Sequence, residues 1–165
     1  MTRRLTFTLN GAPAAPEVED AELLCDCLRE RLGQAGTRVG CREGVCGSCN
    51  VLLDGLVVRS CLLLAVQVQG RQVTTVEGLA ARSANGALSR LQRAFVEHGA
   101  VQCGFCTAGL LISATALLER TPHPSQEEVV EALSGNLCRC TGYAKVVEAV
   151  RAAAGDVPEA GEPDG

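Results

Sequence analysis

Ten cysteines in 165 residues constrain this chain more than any other feature. Eight of them fall into two sets of four. Cys41, Cys46 and Cys49 lie in one C-x4-C-x2-C loop, with Cys61 beyond an intervening apolar hairpin. Cys103 and Cys106 form a C-x2-C pair, and Cys138 and Cys140 form a C-x-C pair further on. A disulfide scaffold needs an oxidising compartment. The Arg3-Arg4 pair near the N-terminus is followed by no apolar stretch of signal-peptide length, so the chain is expected to be cytoplasmic. There thiols stay reduced, and grouped cysteines bind metal.

The first set has the plant-type [2Fe–2S] spacing, three thiolates from one tight loop and a fourth from a distance. Such a cluster is anionic, so the loop must offer positive dipole. Gly44 and Gly47 let backbone N–H groups turn inward toward the sulfurs as an anion-binding nest, and Arg42 adds charge at the rim. Structural zinc favours C-x2-C pairs at both ends, which this loop lacks. Spacing alone leaves the second set open between zinc and a cluster. Its C-x2-C pair opens a predicted helix, whose dipole favours thiolate. Cys25 and Cys27 are left over and read as small core hydrophobes. Leu24, Cys27 and Leu28 share one helix face. His98 and His123 fall in loops and are given no role. No phosphate-binding loop, HExxH or nucleophile elbow is present.

Hydrophobic residues make up 47% and charged residues 21%, a globular composition. A net charge of -4 and 2% aromatic residues argue against a nucleic-acid partner, which would want a basic face and stacking rings. Residues 5–9 alternate and end at Asn10-Gly11, predicting a hairpin whose second strand follows Pro13. Asp20 is placed to cap a helix over 21–32, ended by Gly33. A hairpin over 50–58 turns at Asp54-Gly55, and 72–76 is a last short strand. This order suits a β-grasp domain. Beyond it the period becomes helical, with segments around 88–96, 104–118, 125–133 and 143–153, the third opened by a Ser125/Glu128 capping box. Four helices predict a bundle. Residues 101–118 carry no charge, which a helix enclosed by its neighbours explains without membrane insertion. The expected division is 1–79, a linker over 80–86, a helical domain over 87–153, and a disordered acidic tail over 154–165.

The run Gly40-Cys-Arg-Glu-Gly-Val-Cys-Gly-Ser-Cys49 resembles the first cluster loop of the molybdenum hydroxylases related to xanthine dehydrogenase. Arg59-Ser-Cys-Leu, Thr75-Val-Glu-Gly-Leu-Ala, His98-Gly-Ala-Val-Gln-Cys-Gly-Phe-Cys-Thr and Ser134-Gly-Asn-Leu-Cys-Arg-Cys-Thr-Gly-Tyr143 resemble further segments of that family. The match covers about residues 3–152, and the length resembles a separate small iron–sulfur subunit. The resemblance implies an α+β chain, a β-grasp plant-type ferredoxin-like domain followed by a four-helix-bundle [2Fe–2S] domain. It implies two [2Fe–2S] clusters, the second held by Cys103, Cys106, Cys138 and Cys140. It implies that Gln102 contacts the molybdopterin of a large partner subunit, and that the loop ending in Cys140 approaches the same pterin. Electrons would run from molybdenum to the helical-domain cluster, to the plant-type cluster, and on to an FAD-binding medium subunit or another acceptor. The chain alone would catalyse nothing. Ala108, Asn50, Cys25 and Cys27 stand where the family often has Pro, Thr, Leu and Val, and none of these departures removes a ligand. The rival readings are a free-standing two-cluster ferredoxin and a structural zinc module.

Overall fold

The computed structural model of the chain describes residues 1–81 and 88–155. A five-stranded sheet with the order β3-β2-β7-β5-β6 carries the N-terminal half. Its strands are β2 (Phe7–Leu9), β3 (Ala12–Ala14), β5 (Asn50–Leu53), β6 (Leu56–Arg59) and β7 (Gln72–Thr74). All neighbours are antiparallel except β2 and β7, which run parallel. The predicted turns close both hairpins. Asn10 and Gly11 take φ of 52° and 84°, and Asp54 and Gly55 take 49° and 83°, the left-handed pair that a two-residue hairpin loop demands.

The second strand starts at Ala12 and contains Pro13, rather than following it. Strand β3 is a sheet edge, where the missing proline N–H costs no ladder bond. A separate antiparallel pair, β1 (Thr2–Arg4) with β4 (Glu17–Glu19), was not legible in the pattern. The helix expected over 21–32 is shorter. Helix α1 (Leu24–Asp26) continues as a π-helical turn over Cys27–Arg31, and Gly33 ends it at φ 68°. Asp20 does not cap it, because its carboxylate accepts a hydrogen bond from Arg3. The residues just before the helix are drawn into pairing instead: Leu23 bridges Leu64, and the Leu24 N–H donates to the Leu63 carbonyl at 2.8 Å.

Helix α2 (Val76–Ala81) follows β7, so Ala80 and Ala81 of the expected linker are helical, and 82–86 lie outside the described residues. Helices α3 (Arg90–Glu97), α4 (Thr107–Arg120), α5 (Gln126–Leu133) and α6 (Ala144–Ala154) close a bundle, with α3 and α5 each packing on both α4 and α6. Ala154 ends α6, and the rest of the expected tail beyond Gly155 lies outside the described residues. The Ser125/Glu128 capping box forms as predicted. On α3, Leu91, Ala94 and Phe95 are buried, whereas Val96, and Leu88 just before the helix, face outward. Helical spacing brings 91, 94 and 95 to one side and turns 96 away. No helix among the described residues is long and apolar enough to cross a membrane. Residues 107–118 of the uncharged segment lie in α4, where Leu110, Leu111, Ile112, Ala114 and Leu117 are all buried.

Strand β5 joins the two halves. Val51 and Leu53 enter a core with Leu5, Phe7, Leu24, Leu28 and Val73. Leu52, between them, enters the core of Leu91, Phe95, Leu110, Ile112 and Leu133. The alternation of a strand thus gives one side chain to the helical core and two to the other. Helix α4 lies on β5, and a Cβ added at Gly109 would meet the Gly47 carbonyl oxygen and, at 2.8 Å, Asn136 Nδ2. Gly109→Ala gains up to about 1 kcal/mol of helix propensity, but overpacking against backbone costs about 1–3 kcal/mol. The variant is therefore expected to melt at a lower temperature than the parent, and an unchanged or raised Tm would contradict this packing.

Candidate metal centres

The first loop, residues 41–49, runs between α1 and β5, and Cys61 follows β6 in a 3-10 turn, Ser60–Leu62. Closing the β5–β6 hairpin therefore carries Cys61 back to Cys49. Arg42, Gly44 and Gly47 take φ of 58°, 76° and 72°. The resulting turns point the amides of Glu43 and Cys46 at the Cys41 sulfur, each 3.4 Å away. The hydrogen bonds from Cys46 and Glu43 pull the Cys41 thiol down to about 6. Burial pushes Cys61 up to about 11, reinforced by its hydrogen bond with Cys49 and opposed by the Gly44 amide.

In the second set Cys106 directly precedes α4, and the loop from α5 to α6 brings Cys138 and Cys140 to it. Cys140 Sγ donates to Cys103 Sγ at 3.5 Å. The Phe105 amide and the Cys140 thiol lower Cys103, and the same contact raises Cys140. Burial and the contact with Cys138 push Cys106 up to about 12. Burial also raises Cys138, but the Thr141 hydroxyl, 3.1 Å from its sulfur, and the Thr141 amide outweigh that and bring it to about 7.

The thiols of both sets therefore approach in twos: Cys103 with Cys140, Cys106 with Cys138, Cys49 with Cys61, and Cys41 with Cys46. Among the described residues no three His, Cys, Asp or Glu side chains converge on a point that could hold a single ion. Zinc wants four ligands around one centre. Thiols grouped in pairs suit a two-iron cluster, with one pair available for each iron.

The two loops touch. The Leu137 N–H donates to the Cys46 carbonyl at 2.9 Å, one residue from Cys138. A Cβ on Gly40 would meet both Cys46 Sγ at 3.2 Å and the Phe105 ring at 3.3 Å. Beneath them runs a buried chain of donors. Arg59 donates to Asn50 Oδ1 (2.6 Å), Asn50 Nδ2 to Ser113 Oγ (2.9 Å), Ser113 Oγ to Asn136 Oδ1 (2.8 Å), and Asn136 Nδ2 to the Gly47 carbonyl (3.1 Å). Arg59 also reaches the carbonyls of Gly44 and Gly135. Tyr143, at φ 68°, accepts from the Cys138 N–H and donates to the Asn136 carbonyl, both at 2.8 Å. None of these roles was visible in the sequence. Tyr143 had read as a helix start, and Asn50 only as an unusual residue.

Gln102, Cys103 and Cys140 are exposed, with Val101, Phe105 and Leu137 around them. Cys49 is buried. Cys27 packs in the sheet core as expected. Cys25 does not join it, and lies against Cys49 and Cys61. His98, read as a solvent-facing loop residue, caps the end of α3 with its Nε2 buried.

Comparison with known proteins decides between the readings of the second set. The family described as "2Fe-2S iron-sulfur cluster binding domain" matches residues 7–83, and that described as "[2Fe-2S] binding domain" matches 75–151. The nicotine 6-hydroxylase small subunit of Paenarthrobacter nicotinovorans is 55% identical over 149 residues, covering 90% of this chain and 88% of the relative. The chain belongs to the iron–sulfur subunits of xanthine dehydrogenase-type molybdenum hydroxylases. Caffeine dehydrogenase subunit gamma of Pseudomonas sp. (strain CBB1) is 45% identical, covering 89% of this chain and 88% of the relative. A chain of quinoline 2-oxidoreductase from Pseudomonas putida 86 superposes with a TM-score of 0.89 at 49% identity, over 93% of this chain and 94% of that one. Aldehyde oxidoreductase from Desulfovibrio gigas matches 95% of this chain with only 18% of its own, at 43% identity and a TM-score of 0.86. Both halves of the fold are therefore [2Fe–2S] domains, and the zinc reading falls.

Iron must displace the thiol protons. The low Cys41 and Cys138 thiols are largely thiolate above about 7 and become protonated as pH falls through 7 and 6. Cluster reconstitution of the iron-free chain, followed by visible absorbance, is expected to slow over that interval. A rate flat from pH 8 to 5.5 would contradict it.

Proposed function

We propose that this chain relays electrons inside a heteromeric molybdenum hydroxylase, with Cys41, Cys46, Cys49 and Cys61 holding one [2Fe–2S] cluster and Cys103, Cys106, Cys138 and Cys140 the other. The observation that carries the reading is the hydrogen bond from Leu137 N–H to the Cys46 carbonyl, which joins a ligand loop of each set. When bound, each cluster takes up and passes on one electron at a time. The chain's own residues fix the spacing of the two loops, direct amides at the Cys41 and Cys138 sulfurs, and bury Cys49 and Cys61. The domain division near residues 79–87 belongs to the same proposal.

The partners follow from exposure. Cys103 and Cys140 lie open at the surface beside Gln102. That edge suits a molybdopterin-binding large subunit, with the Gln102 amide able both to donate to and accept from a pterin edge. The exposed Val45 and Leu62 beside the first set suit an electron acceptor such as an FAD-binding medium subunit. A free-standing ferredoxin would leave the second pair of thiols unprotected. The site is proposed to work in the cytoplasm, where these thiols stay reduced.

Two measurements test the assignment. The chain is expected to carry about four iron and about four acid-labile sulfide, with two distinct paramagnetic signals after reduction. Stoichiometric zinc without labile sulfide would end it. In the intact complex, Cys46→Ser is expected to leave the helical-domain cluster reducible by substrate while blocking exit to the acceptor. Gln102→Ala is expected to keep both clusters yet weaken cofactor retention in the large subunit. Rapid-freeze spectroscopy showing the helical-domain cluster still oxidised in Cys46→Ser would reverse the proposed order.

A further inference from the structure

Cys25, Cys49 and Cys61 form a buried contact group of their own, apart from both large cores, with Leu23 and Val39 packed against it. The three residues are 0%, 2% and 3% exposed. Cys49 and Cys61 are the thiol pair assigned above to one iron, so Cys25 is a fifth thiol at that corner. Cys27, two residues on, packs among Leu24, Leu28 and Val18 instead. The difference marks Cys25 as facing the loop and not merely filling the sheet core.

Its place is fixed from two sides. Asp26, the next residue, receives two hydrogen bonds of 2.8 Å from the Arg42 guanidinium, which clamps this helical turn to the loop of Cys41, Cys46 and Cys49. On the other side the Leu24 N–H donates to the Leu63 carbonyl, and the Ala65 N–H donates to the Glu22 carbonyl, both at 2.8 Å. Those bonds tie the same turn to the segment just after Cys61. The thiol is thereby held beside Cys49 and Cys61, and thiolate is the ligand type that iron–sulfur centres select.

We infer that Cys25 is a reserve ligand of the first cluster, able to take the place of Cys61 on its iron. The inference rests on the ligand assignment proposed above. In the exchange the bond from iron to Cys61 Sγ is lost and one to Cys25 Sγ forms. The Cys25 thiol proton passes to the released Cys61 thiolate within the same buried contact group, so charge is conserved. Iron keeps its oxidation state, so no oxidant or reductant is consumed.

The test compares the full chain, purified with its partner subunits, as parent, Cys25→Ala, Cys61→Ala and the double variant. Iron, labile sulfide and the two paramagnetic signals are measured, and the helical-domain signal reports an intact fold. Parent and Cys25→Ala are expected to hold about four iron with identical spectra. Cys61→Ala is expected to keep about four iron, with only the first-cluster signal altered, and the double variant to fall to about two. If Cys61→Ala already falls to two with the helical-domain signal intact, Cys25 is not a reserve ligand. If Cys61→Ala loses both signals, Cys49→Ala decides in the same way, since Cys25 touches both residues. Loss of iron in Cys25→Ala alone, or a parent without four iron, would instead overturn the ligand assignment.

Discussion

The buried donor chain from Arg59 through Asn50, Ser113 and Asn136 to the Gly47 carbonyl holds the two cysteine loops in one register. Each link satisfies a polar group that is removed from water, and leaving one unpaired would cost about 1–3 kcal/mol. The chain runs one way, every acceptor passing to a donor on the same or the next side chain. Asn50 opens β5, the strand whose later residues feed both cores. The polar link and the apolar packing thus start from the same four residues, and a shift of β5 would disturb both.

The two sets are not equivalent. The first is walled by β5, β6 and α1, with Cys49 and Cys61 buried, while the second keeps Cys103 and Cys140 in the open. A reactive thiol edge ringed by Val101, Phe105 and Leu137 is a surface that gains from being covered. The relatives that share this fold or sequence are named for nicotine, caffeine and quinoline.

What the sequence made legible was local. Turn residues and the Ser125 capping box each act within a few positions, so the hairpins and α5 could be placed. What it hid was long-range. Asp20 had every mark of a helix cap, but Arg3, seventeen residues away, claims it. The start of α1 is set by pairing with residues 63–65, which no local pattern announces. Asn50, Ser113 and Asn136 look like ordinary polar residues until the fold buries them together. Cys25 looked like its neighbour Cys27 because a three-residue helical turn and a π-helical turn do not keep the 3.6 period that the reading assumed.

Glycine completes the fixing of distance. A Cβ on Gly47 would strike the Gly135 carbonyl oxygen, and one on Gly109 would strike the Gly47 carbonyl oxygen. On Gly135 it would come within 2.6 Å of Arg59 Nη2. At Gly47 and Gly109 the first loop, the second loop and α4 therefore also meet backbone to backbone. Side chains can change rotamer and let two loops drift, whereas backbone in contact with backbone cannot yield without moving whole elements. Series transfer between two centres depends on their separation staying constant. The bare glycine contacts and the buried donor chain meet that requirement together, one by preventing the loops from moving closer and the other by preventing them from moving apart.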